Sequence, residues 1–232
     1  PHSADVYSVA VKFNCELVPG SPFSIPVLDG RKATASGDGL GTCIVANKPT
    51  SFDVNTRMIC GDAPLDVIIT SPRGQQVRPK VTGSPSSGFH VEYIPVEAGN
   101  YVIDVKYAEM PISGSPFHPG VIDPGQVRVG SLPQGIMGKP FMFDVDTTMA
   151  GDGRLSVDVR GQMTRPAVNV SPRTEGIYAV SFVPQESCSH TILLTFCGLP
   201  VPGSPFFCTI IDVANVCVDW NAIRLKPVHC PG

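Results

Sequence analysis

Gly20-Ser21-Pro22-Phe23 returns as Gly114-Ser115-Pro116-Phe117 and again as Gly203-Ser204-Pro205-Phe206. The steps between the copies are 94 and 89 residues. Each copy runs into a short apolar strand that closes on an aspartate: Ile25 to Asp29, Val121-Ile122-Asp123 and Ile210-Ile211-Asp212. Four residues alone decide little. The same four, followed by the same strand and the same ending at near-constant spacing, point to tandem domains. A period near 90 residues is too long for solenoid repeats.

The 232 residues are 42% hydrophobic and 16% charged, which is a folding composition rather than a disordered one. The 24 prolines and 23 glycines are scattered at intervals, as many short strands joined by turns require. A net charge of −3 gives no electrostatic footprint for nucleic acid or an anionic membrane. No apolar run approaches the ~18 residues of a spanning helix, so no direct membrane insertion is expected. The N-terminus reads as mid-domain sequence without a signal peptide, as expected of a piece of a longer chain.

Working outward from the repeated motif divides the chain into four parts. Residues 1–29 are the final strands of a preceding copy, because Tyr7 to Phe13 aligns with Tyr101 to Tyr107 at the same offset of 94. Residues 30–123 and 124–212 are complete copies. Lys48-Pro49 to Val54 matches Lys139-Pro140 to Val145 at offset 91, and Gly88 to Tyr93 matches the strand from Gly176 to Phe182 at offset 88. Residues 213–232 open a further copy, with Lys226-Pro227 in the place of Lys139-Pro140. Each complete copy carries about seven short strands and no sustained helical period. The expected fold class is all-β, as tandem immunoglobulin-like β-sandwiches.

The eight cysteines (Cys15, Cys43, Cys60, Cys188, Cys197, Cys208, Cys217 and Cys230) do not sit at matching positions in the two copies. A framework repeated in each domain would show one spacing twice, so free thiols in a reducing compartment are expected. Asn169-Val170-Ser171 is a short glycosylation pattern. The antibody-type Cys…Trp…Cys pattern is absent, and the lone tryptophan, Trp220, lies in the trailing segment.

With those residues laid out, the chain resembles filamin repeats. The resemblance rests on Gly-Ser-Pro-Phe before the last strand and on Val18-Pro19 and Val201-Pro202 before two of its copies. It also rests on Tyr93-Ile94-Pro95 with Glu97-Ala98-Gly99-Asn100-Tyr101, and on the Lys-Pro-x-x-Phe-Asp-Val entry strand. The second copy departs from the pattern where Cys188 and His190 replace the glycine and tyrosine. The turn there is expected to differ.

The resemblance implies a rod segment of a cytoplasmic actin-crosslinking scaffold of the cytoskeleton. Actin would be bound by domains outside this sequence, and the parent chain could dimerise through a repeat that is not placed here. Partners would be the cytoplasmic tails of receptors and signalling proteins, captured as an added β-strand along strand C and between strands C and D. An edge strand offers unpaired backbone groups for affinity and alternate side chains for selectivity. In the second copy strand C maps to Leu155-Ser156-Val157-Asp158-Val159-Arg160 and strand D to Ala167-Val168-Asn169-Val170. Leu155, Val157 and Val159 should share one face and Ser156, Asp158 and Arg160 the other. The first-copy equivalents are Leu65 to Ile69 and Val77 to Val81. In this family the face can be covered by the first strand of an adjacent repeat, with mechanical release exposing it.

Other constellations carry less. Gly37-Asp38-Gly39-Leu40-Gly41 lacks a phosphate-loop pattern and reads as a turn. Asp144, Asp146 and Asp152 form no calcium loop. Cys188 with His190, and His229 with Cys230, are two-ligand pairs without matching second pairs, so no metal and no cofactor are expected. No nucleophile elbow and no Ser/His/Asp set recurs between copies, so no enzyme is expected. Ser71-Pro72 and Ser171-Pro172 are Ser-Pro turns whose phosphorylation would add charge beside strand D. Two rivals remain. An extracellular adhesion or receptor segment predicts paired cysteines and a glycan on Asn169. A single repeat appended to an enzyme such as a ubiquitin ligase predicts no consecutive copies.

Overall fold

A computed structural model describes residues 6–59 and 61–215. Cys60, Cys217, Trp220, Lys226, Pro227, His229 and Cys230 lie outside the described residues, and with them most of the trailing copy. Regular structure among the described residues consists of short strands and single 3₁₀ turns. Among the described residues the regular structure is β-strand apart from these turns, as turn-punctuated alternation requires.

Sixteen strands carry the description. Strands β1 (Val6–Val9) and β2 (Phe23–Pro26) pair antiparallel ahead of the first sandwich. The first sandwich holds β3 (Thr34–Ser36), β4 (Thr50–Asn55), β5 (Leu65–Thr70), β6 (Lys80–Ser84), β7 (Gly88–Tyr93), β8 (Val102–Tyr107) and β9 (Gly120–Ile122). The second holds β10 (Arg128–Val129), β11 (Phe141–Asp146), β12 (Leu155–Arg160), β13 (Val168–Thr174), β14 (Ile177–Phe182), β15 (Ser189–Phe196) and β16 (Phe206–Ile211).

In the first sandwich one sheet runs β6-β7-β4-β3. The facing sheet is built on the β8–β5 pair, and β9 lies parallel to Ile44–Val45. In the second, one sheet runs β10-β11-β14-β13, and the other runs Gly135–Ile136, β16, β15, β12. Each core follows from strict alternation. On β8, Ile103, Val105 and Tyr107 are fully buried while Val102, Asp104 and Lys106 face outward. On β15, His190, Ile192, Leu194 and Phe196 are buried in the same rhythm. Phe52, Val54, Val91 and Tyr93 close the first core; Phe141, Val145, Val180 and Phe182 serve the second.

The repeated motif does one task three times. Its glycine adopts a positive φ, 86°, 85° and 84° at Gly20, Gly114 and Gly203. A Cβ there would press on the ring of Phe23, Phe117 or Phe206. The Ser-Pro bond is cis in all three. The serine hydroxyl accepts the N–H of the residue ten positions earlier: Val11 at 2.8 Å, Val105 at 2.9 Å and Leu194 at 3.0 Å. The phenylalanine then pairs across the ladder with Val9, Ile103 or Ile192, one register in every copy. The turn therefore fixes how the last strand meets the one before it.

By its contacts the chain divides into two compact units. The first runs through Arg128 and also takes Thr147–Leu155 and Thr195–Pro202. The second holds Val129–Asp146, Ser156–Leu194 and the residues from Gly203 on. Within the first unit, the Asp123 N–H donates to the Ala150 carbonyl at 2.9 Å, and Asn100 Nδ2 donates to Asp152 at 3.2 Å.

The expectation of free thiols throughout is corrected here. Cys43 and Cys197, both in the first unit, are joined as a disulfide, with Cα atoms 6.1 Å apart. One cysteine comes from each copy, so the bond leaves no repeated spacing for sequence comparison to find. Cys15, Cys188 and Cys208 are free among the described residues. Cys15 is exposed, whereas burial pushes the Cys208 thiol up to about 11.

Replacing Ser115 or Ser204 by alanine should cost about 1–3 kcal/mol, because a buried strand amide loses its acceptor. Ser21→Ala should cost far less, since Val11 is exposed to water. Denaturant unfolding of the three variants checks this; equal losses would show that the hydroxyl is not the acceptor that matters. Peptide mapping without reductant should recover a linked Cys43–Cys197 pair, with Cys15 alkylated rapidly and Cys208 slowly.

Candidate functional site

Strand β12 is the last strand of its sheet, with β15 as its neighbour. Strand β13 is the last strand of the opposite sheet, with β14 as its neighbour. The two expected binding strands are thus both sheet edges. Along β12, Val159 is fully buried, Leu155 and Val157 are half-buried, and Ser156 is exposed. Asp158 and Arg160 lie on the other face from these valines and pair with each other, Nη2 to Oδ2 at 2.7 Å. Along β13, Val168 and Val170 are half-buried and Asn169 is exposed; Ala167, just before the strand, is also exposed. Period-two alternation accounts for all of this.

The two copies differ at this edge. In the first, Ile69 and Thr70 of β5 already pair with Val77 and Gln76. In the second, the corresponding segment is held in another way: Glu186 accepts the N–H of Thr164 at 3.0 Å and its hydroxyl at 2.7 Å, and the N–H of Met163 at 3.2 Å. The bonds from Thr164 hold the Glu186 carboxyl below the usual carboxylate range. The opening strands β3 and β10 pair within their own sheets, with β4 and β11. Among the described residues, no named strand lies along the outer edge of β12.

The remaining sequence motifs find structural roles. Gly37 to Leu40 forms a turn whose Gly39 carbonyl accepts from the Tyr93 hydroxyl at 2.6 Å, and burial pushes that phenol well above its ordinary range. Asp144 pairs with Arg173. Ser71 is buried, and its hydroxyl donates to Glu97 at 2.7 Å, which removes it from reach as a modification site.

A sequence profile of the Filamin/ABP280 repeat matches residues 27–118 and again residues 121–207. The chain belongs to the filamin repeat family. Filamin-C of Rattus norvegicus is 34% identical over 217 residues, covering 89% of this chain and 8% of that protein. Filamin-A of Drosophila melanogaster is 24% identical over 215 residues, covering 89% of this chain and 10% of that protein. The chain therefore spans a tenth or less of these filamins. The crystal structure of the Lin-41 filamin domain aligns with 40% of this chain and 95% of its own length, at 22% identity and a TM-score of 0.36. Among the described residues, no helix of this filamin segment is long and apolar enough to cross a membrane.

The filamin repeats here share one corner that sequence comparison half revealed. In the first, the Tyr101 hydroxyl accepts the N–H groups of Val96 at 3.1 Å and Glu97 at 3.2 Å, and donates to the Glu97 carbonyl at 3.1 Å. In the second, His190 stands at this place. Tyr101→Phe should therefore destabilise the first repeat by about 1–3 kcal/mol, since two amides lose their acceptor while the ring still packs. Calorimetry that found no change would mean the hydroxyl contributes nothing to holding that turn.

Proposed function

We propose that this chain is a rod segment of an actin-crosslinking scaffold in the cytoplasmic cytoskeleton. Residues 30–123 and 124–212 are its two repeats, with parts of neighbouring repeats at 1–29 and 213–232. The segment spaces actin-binding ends that lie elsewhere in the parent. It also takes up extended tails of receptors and signalling proteins by strand addition along β12, between β12 and β13. It works as a scaffold and carries no chemistry of its own.

The observation that supports this most directly is the position of β12. It ends its sheet, keeps its half-buried Leu155 and Val157 beside an edge, and lacks the short Gln76–Val77 cover found on β5. A peptide laid there gains ladder hydrogen bonds, while its alternate side chains meet Leu155 and Val157 on one face and the Asp158–Arg160 pair on the other. The Cys43–Cys197 bond is the observation that an extracellular adhesion segment would draw on. Membership of the filamin repeat family weighs against it.

The test is a titration of the isotope-labelled chain with an extended peptide of alternating apolar and polar residues, followed by amide NMR. Shifts confined to residues 155–170 are expected, with weaker ones on the half-covered β5. No shift at millimolar peptide would sink the binding proposal and leave spacing as the role of the segment.

A further inference from the structure

The corner that Tyr101 holds in the first copy is built from different chemistry in the second. Eighty-nine residues on, Glu186 stands in the place of Glu97, Cys188 in that of Gly99 and His190 in that of Tyr101. Gly99 has a φ of 129°, whereas Cys188 is not among the positive-φ residues, so the backbone at this position differs between the copies. His190 is fully buried on β15, opposite Cys208 in the ladder and stacked on the Phe182 ring at 6.2 Å. Its Nδ1 lies 3.3 Å from the Cys188 carbonyl and 3.6 Å from Cys188 Sγ. Its Nε2 is buried without a hydrogen-bond partner.

An orphaned buried nitrogen is costly and calls for an explanation. The surroundings supply one. Ligand atoms of Glu186, Cys188 and His190 all lie within 4.8 Å of one another. A glycine lets them come together: Glu186 Oε1 occupies the place a Cβ on Gly161 would take, and that place lies 3.1 Å from His190 Nε2. Glu186 receives its bonds from Met163 and Thr164 mainly on Oε1, and Oε2 takes one long contact of 3.3 Å from the Met163 N–H. That oxygen keeps lone pairs free.

We propose that Glu186, Cys188 and His190 form a zinc site in the second repeat. A set of one thiolate, one imidazole and one carboxylate suits zinc and is foreign to magnesium or calcium. Bond lengths of about 2.3 Å to sulfur and about 2.0 Å to nitrogen put these atoms about 3.5 Å apart in a tetrahedron. Nε2 is the ligand nitrogen, and Nδ1, 3.3 Å from the Cys188 carbonyl, is placed to donate its proton there and orient the ring. Binding releases the thiol proton to solvent and leaves a fourth position for water. Because Glu186 also holds Met163 and Thr164, an occupied site would fasten the turn between β12 and β13 to the start of β15.

The test uses the whole chain, stripped of metal with the Cys43–Cys197 bond intact, and titrated with cobalt(II). One equivalent should bring tetrahedral d–d bands and a thiolate-to-cobalt charge-transfer band, both displaced by zinc. Cys188→Ser should abolish the charge-transfer band, while Cys15→Ser leaves it unchanged. The double variant Cys188→Gly/His190→Tyr restores the residues of the first copy. It should fold, as circular dichroism reports, and bind no cobalt. Zinc should raise the unfolding temperature of the original chain by several degrees and leave that of the double variant unmoved. Absence of the bands in the original chain, or their persistence in either Cys188 variant, would overturn the assignment.

Discussion

One hydrogen bond, made three times, orders this molecule. The serine of each Gly-Ser-Pro-Phe turn accepts a backbone amide ten residues back, and the phenylalanine of the same turn opens the next ladder at a constant register. The strand that receives it, β8 or β15, buries every second side chain and alternates without a break. A slip of one residue there would turn Ile103, Val105 and Tyr107 out to water and bring Asp104 and Lys106 in. The hydroxyl is therefore more than a local cap. It ties the register of a core strand to a turn whose backbone favours glycine.

Register set in the middle of a sheet leaves the margins free to vary. The copies share their interior pairings, yet β5 carries the short Gln76–Val77 cover and β12 does not. This follows from where the constraint lies. A change in the connection after β12 disturbs no core position, because of its side chains only Val159 is fully buried. Edges can then differ from repeat to repeat while the sandwich stays constant.

How much of this was legible depended on range. Strand alternation, the repeat period and the shared entry strand are local patterns, and they led directly to β4, β5, β7, β8 and their second-copy partners. That Leu155 to Arg160 and Val168 to Val170 form strands was equally legible, and so was the sharing of faces along β12. The cover on β5 was not, because two residues paired after a tight turn leave no periodic trace. The Cys43–Cys197 bond was hidden for the opposite reason. Its partners are 154 residues apart, and the repeat comparison assumed that each copy solves its own problems.

The corner before β15 shows what a repeat comparison detects and what it misses. Cys188 and His190 were visible as departures, but two ligands in sequence are weak grounds for a metal. The third, Glu186, was hidden by its likeness to Glu97, which in the first copy bonds to Ser71 and pairs with Arg73. An identical residue at an identical position is thus read as unchanged although its neighbours have altered its work. The buried Tyr101 phenol satisfies its corner with three hydrogen bonds; an imidazole in the same pocket cannot be both compact and fully satisfied without a further partner. The departure therefore acquires meaning only through the orphaned nitrogen and the glycine that admits the Glu186 carboxylate beside it, and both are properties of the folded chain.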